Sequence, residues 1–186
     1  MIGEITMGTS CAFTGHRPQR FPWGFHETDP RCAALKAVLC CEIKALHQAG
    51  VKAFFSGMAL GVDSWAAQAV LALRKEDPAV TLHCVLPCED QDKRWSPPAQ
   101  KAYREILVQA DSISYVGRQY YSGCMLARNR RLVDSASILL AVYDGSPSGG
   151  TAATVRYAQQ QKKEIICIEP ITLEITKNRY VDLASF

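Results

Sequence analysis

The sequence predicts an α/β fold, a mostly parallel sheet with helices on both faces. Short apolar runs alternate with longer stretches of helical period, which is the pattern of parallel strands joined by helical crossovers. At 186 residues, 48% of them hydrophobic and 21% charged, the chain has the length and make-up of one domain with one sizeable core. Glycine-bearing turns follow the apolar runs and lead into the helical stretches, as βα units require.

Residues 10–14 form the first strand. Asp29-Pro30 supplies an N-cap and a first-turn proline, and Leu35, Val38, Leu39, Ile43 and Leu46 then lay an apolar stripe that stops at Gly50. Residues 51–55 read as the second strand, 62–75 as the next helix and 80–86 as the third strand, ending before Pro87. Ser96-Pro97-Pro98 opens a helix through Gln109, residues 113–116 are a short strand and 125–133 are helical. The run 138–143 is a strongly apolar strand. A turn-rich loop, residues 144–151, leads into a helix that ends on Lys162 and Lys163, where cations suit the helix dipole. Residues 165–168 close the sheet. The tail 172–186 fits no single pattern, and the chain contains neither an internal repeat nor a low-complexity segment. The expected whole is a single Rossmann-like domain over 1–186, its core about residues 10–170.

The formal net charge is +3, and cations cluster only at Arg128, Arg130 and Arg131, so composition carries no strong nucleic-acid footprint. Eight cysteines in a chain long enough to build its own core, with no secretory apolar stretch at 1–10, read as buried, reduced thiols of a cytoplasmic protein. No C-x-x-C pair is present. His83, Cys84 and Cys88 are the best candidate metal cluster, and plain packing is the favoured reading, so no metal is expected. No apolar run reaches the length of a membrane span, and none is expected.

In an open parallel sheet the ligand crevice lies outside the carboxyl ends of the strands. Three predicted strands run into unusual loops there: Thr14-Gly15-His16-Arg17-Pro18, Ser56-Gly57-Met58-Ala59-Leu60-Gly61-Val62-Asp63, and Ser148-Gly149-Gly150-Thr151. Glycine lets backbone approach a ligand, and the free N–H groups of a helix start favour phosphate. Neither G-x-G-x-x-G after the first strand nor G-x-x-x-x-G-K-[ST] occurs, which disfavours a standard dinucleotide fold and a P-loop. Thr14, Ser56 and Thr151 offer hydroxyl donors, and Arg17 and Arg128 are the candidates to pair with a phosphate. The alternative for each arginine is a structural ion pair. Trp95 with Arg94 reads as a lid that stacks on a base, or as a tryptophan packed on the surface. His16 reads as a proton shuttle or, more readily, as a hydrogen-bond partner of backbone or phosphate.

These loops, with Ala127-Arg128-Asn129-Arg130, resemble the YpsA-like branch of the SLOG superfamily over about residues 10–170. That resemblance implies a Rossmann-like fold and a nucleotide or nucleotide-derived ligand, with ADP-ribose or an NAD derivative as candidates. It places ligand contacts at Gly15, Arg17, Ser56, Gly57, Asp63, Arg128, Gly149, Gly150 and Thr151, and Thr14, His16, Met58, Gly61 and Asn129 join the candidate site from the same loops. It also links the chain to regulation of cell division or stress. No catalytic residue follows from it.

Two relatives frame the alternatives. LOG-type phosphoribohydrolases carry P-G-G-x-G-T-x-x-E with a catalytic Glu, and aligning the G-T with Gly150-Thr151 places Thr154 at that Glu. A hydroxyl cannot replace a carboxylate in proton transfer near neutral pH. The expectation is therefore a binding or sensing module over a hydrolase, although Asp63 or Asp144 could supply a carboxylate from another loop. The second relative is the single-stranded-DNA-binding protein DprA, with similar S-G-x-A-x-G-[IV]-D and R-N-R stretches. Arg128, Arg130 and Arg131 beside Tyr120 and Tyr121 favour that alternative, while the low net charge weighs against it. A small nucleotide-like ligand is the expected partner, nucleic acid the less favoured one, and a homo-oligomer is left open.

Overall fold

The computed structural model describes residues 9–178. In chain order the elements are β1 (Ser10–Gly15), α1 (Pro30–Gln48), β2 (Ala53–Ser56), α2 (Val62–Glu76), β3 (Thr81–Leu86), α3 (Pro97–Gln109), β4 (Ser112–Tyr115), α4 (Cys124–Asp134), β5 (Ile138–Val142), α5 (Gly150–Gln160), β6 (Glu164–Ile168) and β7 (Ile175–Asn178). They form one sheet in the order β4-β3-β2-β1-β5-β6-β7, parallel throughout except for β7, which runs antiparallel to β6.

Two apolar layers follow from the period-2 alternation of strand side chains. Cys11 and Phe13 of β1, with Ile138, Leu140 and Val142 of β5, face the cluster built by α1, α2 and α3. Their neighbours Ala12, Leu139 and Ala141 face the smaller cluster of α4 and α5. The chain steps from β1 to β4 in one direction and then returns to place β5 beside β1. Right-handed crossovers put helices on one face in the first leg and on the other after the return, so the topological switch lies between β1 and β5.

Local signals set the helix ends. The Asp29 carboxylate accepts the Arg31 N–H at 2.9 Å, and Pro30 fills the first turn. At the other end Gly50 adopts φ +104°, which lets the Val51 N–H reach back to the Leu46 carbonyl. Val51 thus belongs to the stop of α1, and β2 begins only at Ala53.

Several expectations are corrected. Residues 165–168 do not close the sheet, because β7 adds a strand from the tail; residues 179–186 lie outside the described residues. Lys162 and Lys163 stand past the end of α5: Lys162 takes φ +53°, and the Lys163 N–H bonds to the Ala158 carbonyl, a left-handed helix stop that needs no charge–dipole help. The eight cysteines are free thiols, but Cys41 is exposed and Cys40 and Cys167 are half-buried. His83 lies between Thr81 and Ser112, its two ring nitrogens 3.0 and 2.8 Å from their hydroxyls, and stacks on Phe55, away from the core that holds Cys84. Among the described residues no helix is long and apolar enough to cross a membrane.

Candidate functional site

Because β1, β2 and β5 are parallel neighbours, their carboxyl-end loops share one edge of the sheet. Thr14 is buried opposite Ala141, and Gly15 pairs with Val142. Helix α2 starts directly above Gly15: a Cβ there would stand 2.5 Å from the Val62 Cβ.

The loop after β2 is built around a buried ion pair. Arg128, from the second turn of α4, places its guanidinium 3.5 Å from the Asp63 carboxylate and donates to the Gly57 carbonyl and to Asn129 Oδ1 at 2.8 Å. Gly57 is required for this, since a Cβ there would lie 1.8 Å from the guanidinium nitrogen. Ser56 Oγ donates to the Asp63 carbonyl and accepts the Met58 N–H, while Asp63 accepts the Ala59 N–H. Met58 is thereby held at φ +56°, and Gln91 donates to its carbonyl from the loop after β3. Burial pushes the Asp63 carboxyl up against the opposing pull of Arg128, and burial pushes the Arg128 guanidinium down despite Asp63. Ser56, Gly57, Met58, Asp63, Arg128 and Asn129 are therefore brought together, but their polar groups are spent on one another. The guanidinium expected at a phosphate is turned inward.

At the switch point His16 Nε2 lies 2.9 Å from Asp144 Oδ1, and Arg20 reaches Ser146 Oγ at 2.9 Å, so the β1 loop is tied to the β5 loop. Partial burial disfavours the Asp144 carboxylate, but hydrogen bonds from Ser146 and His16 outweigh it and hold it well below the usual range. Gly149 and Gly150 are exposed at the start of α5, and Thr151 is buried behind them. Asn129 lies near this loop: its amide nitrogen is 3.9 Å from where a Gly150 Cβ would be. Thr154 is buried and donates its hydroxyl to the Gly150 carbonyl at 2.8 Å.

Beside this scaffold opens a cleft of about 1220 Å³, walled by the loops after β1 and β3, the start of α2 and the loop before α4. Of the residues singled out as ligand contacts, Arg17 and Gly61 line it. Arg94, Trp95 and Tyr120 line it too, while Phe25, Glu27 and Lys93 had no signal in the sequence beyond being loop residues. Trp95 also packs edge-on against Tyr103 at 5.1 Å, so it is both wall and surface packing. Phe25 is 59% and Tyr120 66% exposed. Among the described residues the Arg17 guanidinium donates to the Met125 sulfur, at 3.9 Å, and no carboxylate lies within ion-pair distance of Arg17, Lys93 or Arg94. The arginines of α4 disperse instead: Arg128 is buried, Arg130 lies 5.5 Å over the Tyr157 ring and Arg131 bonds to the Tyr115 carbonyl.

Residues 11–173 match the model of the YspA SLOG family. The chain is 32% identical over 151 residues to the UPF0398 protein of Bacillus pumilus, covering 80% of each. It is 28% identical over 156 residues to the UPF0398 protein YpsA of Bacillus subtilis, covering 82% of this chain and 86% of that one. Its fold is similar to that of DNA processing protein A from Helicobacter pylori, a structure described for its single-stranded DNA binding mode, with a TM-score of 0.60 and 21% identity. That likeness takes in 87% of this chain and 66% of the Helicobacter chain. The match along nearly all of the fold, on the loops and scaffold just described, makes this chain a member of the YspA SLOG family.

Proposed function

We propose that this protein binds a phosphate-bearing, nucleotide-type ligand, with ADP-ribose and NAD derivatives as candidates, and works as a cytoplasmic binding or sensing module of the regulatory kind. The observation that carries this is the cleft at the carboxyl edge, where three cations without ion-pair partners among the described residues, Arg17, Lys93 and Arg94, share the walls with Phe25, Trp95 and Tyr120. Unpaired guanidinium and ammonium groups favour phosphate, and the aromatic faces favour a base. A volume of about 1220 Å³ suits a ligand at or above the upper end of small-molecule size, as a dinucleotide would be. Gly57 and Arg128 serve as the scaffold of this cleft, and Gly149, Gly150 and Thr151 form the start of α5 beside Asn129.

Isothermal titration calorimetry with ADP-ribose, NAD and AMP tests the reading. Arg17→Ala should weaken binding by about 10- to 100-fold, the range for losing a charge-assisted contact, while changing the melting temperature little, because Arg17 is exposed and its charge favours the Asp63 carboxylate while opposing the Arg128 guanidinium. Absence of heat with all three, or unchanged affinity in Arg17→Ala, overturns it.

A second reading, single-stranded DNA binding, is favoured by the exposed Tyr120 beside these cations and by the fold likeness to the Helicobacter protein. It expects binding of an oligothymidylate that falls with salt at a log–log slope of roughly −2, as three phosphate contacts on a single strand give. A flat anisotropy titration at low salt removes it. Released base on chromatography of nucleoside monophosphates after incubation would instead establish the phosphoribohydrolase alternative.

A further inference from the structure

The geometry points to Glu27 as the residue that selects the nucleoside end of the ligand, by accepting a hydrogen bond from a neutral N–H or O–H donor; this rests on the binding reading above. Glu27 lines the same cleft as the three cations and, with Asp90, presents the opposite sign, but Glu27 alone of the two acids is tied to a buried tryptophan of the core. Its carboxylate is fixed in direction. The Trp65 indole N–H donates to Oε1 at 2.9 Å, and the Lys36 ammonium donates to Oε2. Lys36 is itself seated 5.0 Å over the Trp65 ring. Trp65 is buried in α2 and stacks on Phe21 at 5.8 Å, which stacks on Trp23 at 4.9 Å, so the clamp on Glu27 is anchored in the core.

An ionised carboxylate only accepts hydrogen bonds and has about four lone-pair positions. Trp65 and Lys36 take one on each oxygen, and the half-exposed group keeps the rest for whatever enters the cleft. With Lys36 already paired to it, the carboxylate leaves no net positive charge to draw a phosphate. The part of a nucleotide that fits is a donor, either a ribose hydroxyl or an exocyclic amine of the base. Phe25, two residues earlier and 59% exposed, supplies a stacking face on the same loop. On this assignment phosphates go to Arg17, Lys93 and Arg94, and the nucleoside goes to Phe25 and Glu27.

The test is calorimetric titration of wild type and Glu27→Gln with AMP, 2′-deoxy-AMP and IMP. Glutamine retains an oxygen for the Trp65 indole and removes the charge. Wild type should prefer AMP about tenfold over at least one of the other two, as losing a hydrogen bond to a charged group implies. A preference over 2′-deoxy-AMP assigns the sugar hydroxyl, and a preference over IMP assigns the amine. In Glu27→Gln the preference should shrink to within about twofold, and Phe25→Ala should weaken all three nucleotides alike while keeping it. Equal wild-type affinities, or a preference that Glu27→Gln leaves intact, overturn the role of Glu27 while the binding reading stands. No binding of any of the three to wild type overturns the cleft reading and this inference with it.

Discussion

Arg128→Met is expected to lower the free energy of unfolding by about 3–5 kcal/mol, the cost of removing one partner from a buried ion pair. Arg128 is 4% and Asp63 6% exposed, so the pair is shielded from solvent. The variant strands the Asp63 carboxylate and leaves the Gly57 carbonyl with only the weaker contact from Gln91 at 3.3 Å. Urea denaturation at pH 7 measures the loss, and a change under about 1 kcal/mol would show that the pair does not hold this loop. The double variant Asp63→Asn/Arg128→Met should recover part of it, because a neutral amide is far less costly to bury than an unpaired carboxylate.

The pH dependence of that loss has a definite sign. Burial already holds the Asp63 carboxyl above its ordinary value of 3.8, with Arg128 pulling the other way. An acid whose folded pKa exceeds its unfolded one contributes stability that is complete below the unfolded value and is lost as pH rises through the folded value. Removing Arg128 removes the downward pull, so the folded pKa rises further. The gap between wild type and Arg128→Met should therefore be widest at neutral pH and should narrow as the pH falls toward 4. A gap that stayed constant with pH would mean that the loss came from packing alone.

Arg128 also shows where sequence reading stops. The strands β1 to β6 and the five helices follow from apolar period, Asp29-Pro30, Gly50 and the glycine turns, all of which act within a few residues. The partner that turns Arg128 inward is 71 residues away at Gly57, and an arginine on an amphipathic helix carries no local sign of burial. The same holds for β7. Its four residues are all exposed, so no alternation marks it, and it exists as a strand only because β6 lies beside it. That the loops after β1 and β2 share one edge was legible, since a parallel sheet dictates it, but of Gly15, Arg17, Ser56 and Asp63 only Arg17 lines the cleft. Phe25, Glu27 and Lys93 were not, because loop residues have no period and only the folded path brings them to one cleft.

Gly15→Ala should cost about 3 kcal/mol, toward the upper end for adding a methyl group to a packed site. The added carbon would sit 2.5 to 2.6 Å from three carbons of Val62, which is itself buried at 1% exposure. Gly15 is locked in register against Val142 at the end of a central strand, and Val62 opens α2 immediately after Gly61, which lines the cleft. Any relief must lift the start of α2. The variant should therefore lose ligand affinity as well as stability, although Gly15 itself does not line the cleft. A double-mutant cycle isolates the contact. Val62→Gly removes all three clashing carbons, so Gly15→Ala/Val62→Gly should be less destabilised than the sum of its parts by about 1.5 kcal/mol or more, within the usual range for touching residues. Strict additivity would place the damage elsewhere and remove Gly15 as the residue that lets α2 close on the strand.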